Sequence, residues 1–237
     1  MKNTRTLFTY LTFSCIAGVL IIVVIGTASS HLPPLSFEEK AGIVGVFVLC
    51  CGLGISFTFR PNWLRRQFPK SQSEETNTPP QKKQSFQGHH PSCATFQNHT
   101  IQWKEKTGCA GCLGLFIGLC DSIVFMILYL TTDFQIAKMM ALLLVLLGLF
   151  ILILVYIETL YQSRYARVHV VMNSLLPLSF FIITIAVAGG TGNVDYGLFT
   201  ILLCFLWLDT RIQLSKWHHS LLCTQCSESC KMFTVSA

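Results

Sequence analysis

Two short stretches hold nearly all the residue types that could do chemistry. The first runs from Gly88 to Gly118 and packs His89, His90, Cys93, His99, Cys109 and Cys112 together. The second holds His218, His219, Cys223, Cys226 and Cys230. Cysteine thiolate and imidazole are the usual zinc ligands, about four per ion, and a Cys-x-x-Cys turn commonly supplies two of them. Cys109-Ala110-Gly111-Cys112 and Cys223-Thr224-Gln225-Cys226 are such turns. Gly111 is expected to let the backbone fold round a metal, with His89 or His90, Cys93 and His99 completing the set. The motifs echo each other, each with a His pair shortly before its cysteines, so a zinc site shared by the two is the leading expectation.

Two other chemistries fit the same residues. Cys223, Cys226 and Cys230 would give three thiolates to an iron–sulfur cluster, although Cx2Cx3C departs from the common ferredoxin spacing. Cys109 and Cys112 open an apolar segment, and a helix N-terminus stabilises a thiolate. That suits a membrane thiol–disulfide or electron-transfer oxidoreductase. The candidate catalytic residues are therefore Cys109, Cys112 and Asp121. Asp121 lies nine residues past Cys112, about 13 Å along a helix. A carboxylate inside an apolar span is costly and marks function by default; here it faces a buried polar pocket or pairs with Asn173. Glu158 and His169 read as interfacial, and Trp103, Trp207 and Trp217 as aromatic-belt anchors. Cys15, Cys50, Cys51, Cys120 and Cys204 lie outside the two motifs and read as small apolar residues.

These motifs must be positioned by a membrane scaffold. The chain is 52% hydrophobic and 12% charged, against roughly 25% charged for a soluble domain. It cannot cover a water-facing surface with polar groups, so lipid is its solvent. Apolar runs lie at 7–28, 41–59, 109–130, 137–161, 170–188 and 196–208. About 20 residues cross the hydrocarbon core, so the last run spans only if its helix takes in residues on both sides. The first run would be a cleaved signal peptide in the other reading, but it is longer than usual h-regions. The predicted fold is all-α, an integral membrane bundle of about six helices. It divides into an N-terminal two-span hairpin (1–59), a flexible cytosolic linker (60–88), the Cys/His motif with four spans (89–210), and a Cys/His tail (211–237).

Lysine and arginine set the orientation. With the N-terminus inside, only Lys40 and Lys138 of the 17 basic residues fall in outer segments, as the positive-inside rule requires. The net charge of +6 is thereby accounted for without nucleic acid. Both termini and both Cys/His motifs are expected in the cytosol. The formal sequon Asn98-His99-Thr100 would then stay unmodified. No Gly-rich phosphate loop, Ser-His-Asp spacing or HExxH is present.

The pieces Gly88-His89-His90-Pro91-x-Cys93, a following His, and Cys109-Ala110-Gly111-Cys112-x-Gly114 resemble the signature of uncharacterised prokaryotic, often archaeal, multi-pass membrane proteins. Some of those proteins have Cys-His where this chain has His89-His90, and a basic residue where it has Gly111. The resemblance implies a multi-pass protein of the cell (inner) membrane and carries no assigned activity.

Overall fold

The computed structural model describes residues 2–28, 34–59, 100–103, 106–132, 135–161 and 165–224. His89, His90, Cys93, His99, Cys226, Cys230 and the linker at 60–88 lie outside the described residues, as does the side chain of Cys223. Among the described residues there are six helices: α1 (Lys2–Thr27), α2 (Phe37–Phe59), α3 (Ala110–Thr131), α4 (Lys138–Tyr161), α5 (Ala166–Thr191) and α6 (Val194–Thr224). All six are long and apolar enough to cross a bilayer. A hairpin, β1 (Thr100–Trp103) and β2 (Lys106–Cys109), leads directly into α3. The protein is a multi-pass helical bundle.

At two helix ends the polar flank of the apolar run supplies a cap. Before α2, Ser36 and Glu39 form a capping box. The Ser36 backbone N–H donates to Glu39 Oε2 at 2.8 Å, and the Glu39 N–H donates to Ser36 Oγ at 3.3 Å. This satisfies N–H groups that the first turn leaves without partners. The helix α5 closes at Gly192, whose φ of 58° lets its N–H reach Ala188 O at 3.0 Å. That left-handed cap favours glycine.

The short sixth run becomes a 31-residue helix. Its polar residues find partners, so the helix need not stop at Leu208. Asp209 accepts from Gln213 Nε2 at 3.3 Å, and Ser14 and Thr210 join their hydroxyls at 2.7 Å across α1 and α6. Trp207, expected at the membrane interface, is fully buried and donates through Nε1 to Ser14 O at 3.2 Å. Tyr156 donates to Trp207 O at 2.8 Å. A buried indole N–H must find an acceptor, and α1 provides it. Trp217 is half-buried.

The helix α5 is the hub. It packs chiefly against α3 and α4, and also against α6. Gly114 and Gly118 carry the α3 contact: a Cβ at either would overlap the α5 backbone at Val170 and Ser174. In lipid, where tails are as apolar as Leu, such close backbone approach drives helix association. Large apolar side chains such as Leu49, Phe150 and Leu202 remain exposed on the outside, as expected of surfaces solvated by hydrocarbon. The helices α1 and α2 pack mainly on other helices, α1 on α6 and α4, α2 on α3 and α6.

Candidate functional site

The helices alternate in direction, so one end of the bundle gathers the starts of α1, α3 and α5 and the ends of α2, α4 and α6. Contacts between these helices fix this: near the ends Gly114 meets Val170 and His218 Nδ1 lies 3.1 Å from Thr159 O, and at mid-helix Ser14 meets Thr210. Cys109 and Cys112 are at that end, at the foot of the hairpin and in the first turn of α3. His218 and His219 share it, on the last turns of α6. Cys109 is buried and Cys112 half-buried.

Behind the thiols lies a layer of polar side chains. Glu158 Oε1 on α4 sits 2.5 Å from His169 Nδ1 on α5, with the two side chains 8% and 7% exposed. One turn further along α5, Asn173 donates through Nδ2 to His169 O at 2.6 Å and accepts through Oδ1 from Arg211 Nη2 on α6. Arg211 lies within electrostatic reach of Glu158, and also of Cys109 and Cys112. Its Nε is buried without a hydrogen-bond partner among the described residues. Pro177 follows on α5 and has no N–H to give to the Asn173 carbonyl, so the helix is least self-satisfied at this depth. Buried charges persist where they pair and hydrogen-bond, and this layer links three helices by such pairs.

Several sequence expectations change here. Glu158 and His169, each near a helix end, are a buried pair that face each other across two helices. Periodicity alone placed each near a helix end, but only the packing of α4 on α5 puts them opposite one another. Asn173 pairs with Arg211, not with Asp121, which is exposed on the outer face of α3. The 3.6-residue turn sends Ser122, not Asp121, into the bundle. Gly111 is part of the first turn of α3 rather than of a separate loop. It sits in the helix with no left-handed φ, and a Cβ there would make only ordinary contacts, with Asn173 Nδ2 at 3.6 Å and Cys109 Sγ at 3.8 Å. A helical first turn brings residues three apart to one face by itself, so the Cys-x-x-Cys needs no glycine.

Arg211 and Asn173 were the members hardest to find. The usable signal was an Arg just past an apolar run too short to span, with an Asn inside a neighbouring run at matching depth. Among the described residues no three His, Cys, Asp or Glu side chains form a group that could hold a metal. Of the expected ligands, Cys109, Cys112, His218 and His219 are described and occupy one end of the bundle. The chain matches no family model, no curated protein and no solved structure.

Proposed function

We propose that this multi-pass protein of a prokaryotic cell membrane, with both termini in the cytosol, holds a zinc ion at the Cys109 end of its bundle. Cys109 and Cys112 give two thiolates, the loop before the hairpin gives further ligands from His89, His90, Cys93 and His99, and the C-terminal motif contributes from the same side. The observation that carries this reading is the hairpin register. Thr100 pairs with Cys109, so the chain that enters β1 directly after His99 is folded back onto the start of the Cys-x-x-Cys turn. His218 on the same end of the bundle supports a contribution from the tail. The ion, when bound, supplies a fixed cross-link between loop, helix and tail. The protein's own part is to keep Cys109 dry against α3 and to set Arg211 near the thiolates, where its charge offsets theirs. The resemblance to prokaryotic membrane proteins is carried by these same residues.

Metal analysis of the purified full-length protein tests it. About one zinc per chain is expected, since a four-ligand set closes one tetrahedron. Cys109→Ser with Cys112→Ser should remove it, and His218→Ala should weaken it. Zinc-free wild-type protein overturns the reading.

One observation favours a second function. The thiols stand at a helix N-terminus with Arg211 near them, and both features favour thiolate. A metal-free protein that traps a mixed disulfide at Cys109 or Cys112 would be a thiol–disulfide oxidoreductase.

A further inference from the structure

We infer that the outer face of α3 binds a transmembrane helix of another protein, one carrying a Lys or Arg near the middle of its span. Asp121 is eleven residues from the start of a 22-residue helix, about 16 Å along it and therefore near the bilayer centre. Its side chain is exposed, in a stripe with the exposed Leu113, Ile117, Val124, Phe125 and Leu128. Residues at these offsets share one helical face, so the carboxylate is set in the surface that otherwise meets acyl chains.

Every other bundle charge with a described partner finds that partner within the chain. Glu158 pairs with His169, Arg211 with Asn173, and Lys40 and Lys138 with helix-end carbonyls. Among the described residues no ion pair or hydrogen bond reaches Asp121. An acidic residue at the centre of a lipid-facing helix is one of the least favourable placements there is, and such residues characteristically pair with another polar or charged group.

Among the described residues a second copy offers no complement. The exposed bases Arg5, Arg167 and Lys216 lie at the Cys109 end of the bundle, and Lys40 and Lys138 lie at the opposite end. None is at the depth of Asp121. A twofold contact through α3 would set Asp121 against Asp121. Lipid head groups are half a bilayer away. Charge complementarity at this depth therefore calls for a basic residue in a different transmembrane helix, with the flanking apolar stripe giving the packing surface. This inference does not rest on the metal reading.

The full-length protein, fluorescently labelled and reconstituted in phosphatidylcholine vesicles, tests it by energy transfer. The probe is a synthetic Leu/Ala transmembrane peptide with one central Lys, and its control has Leu at that position. The Lys peptide should associate roughly tenfold more strongly than the control, the scale of a polar contact between membrane helices. Asp121→Leu should abolish the difference while leaving the thermal transition unchanged or raised, and Asp121→Asn should reduce it. Equal association of the two peptides overturns the proposal. So does self-association of the protein that Asp121→Leu abolishes, which would assign the face to a second copy.

Discussion

The two ends of the bundle use polar residues in opposite ways. At the end away from Cys109, Lys138 donates to Gly26 O at 2.9 Å and Ala28 O at 2.6 Å, and Lys40 reaches Thr132 O at 3.4 Å while lying over the Tyr129 ring at 5.7 Å. These lysines satisfy carbonyls that the last turns of α1 and α3 leave without partners, and their charge suits a helix C-terminus. This is structural work, done by the two described basic residues at that end. At the Cys109 end the polar side chains pair with one another across helices, as Glu158 with His169 and Arg211 with Asn173. They satisfy few helix termini. Such pairs are weak evidence for stability, because apolar residues of similar volume often do as well. In the proposed function they form the layer behind the two thiols.

Substitutions sharpen or break this contrast. The largest effect is expected where the backbones touch. Gly114→Leu places a side chain into the α5 backbone at Val170, and folded, monodisperse protein should be lost on size exclusion. Normal folding of that variant would break the account of how Cys109 and Cys112 are brought to the polar layer. Next, Glu158→Leu should cost about 1–3 kcal/mol by removing the buried carboxylate that His169 Nδ1 faces, whereas the double variant with His169→Leu should recover most of it. Thermal or denaturant unfolding in detergent reads both. Should the double variant be as unstable as the single, the pair is scaffold after all, and the two ends are alike. Arg211→Leu leaves the Asn173 Oδ1 without its donor and should cost about 1–3 kcal/mol, the price of an unsatisfied buried acceptor. The smallest effect is expected at the other end. Lys138→Ala should cost about 0.5 kcal/mol, since a helix-terminal charge contributes little where water can reach the same carbonyls.

The thiol and imidazole motifs could be read from residue types alone, as could the bundle and the number of its spans. The short run at 196–208 was the exception. Its hydropathy ends at Asp209, and whether a helix continues past that point depends on partners from elsewhere in the chain, here Thr210 with Ser14 and Arg211 with Asn173. The sites were less legible than the fold for the same reason. Glu158 and His169 are 11 positions apart in sequence on different helices, and neither has a distinctive local pattern. Asp121 and Ser122 are adjacent, yet one faces out and the other in, a choice set by where Gly114 and Gly118 dock on α5. Trp207 has the composition of an interface anchor and is instead a core residue, because the Ser14 carbonyl is there to accept its N–H.

The sequence by itself determined that this chain lives in lipid and how many of its helices are long and apolar enough to cross. Hydrophobic length and residue type are local properties, and burial in hydrocarbon depends on little else. The tertiary structure alone decided which polar groups meet. Pairing energy in a membrane belongs to two helices at once, and their rotation is set by glycine contacts far along the chain from the groups being paired.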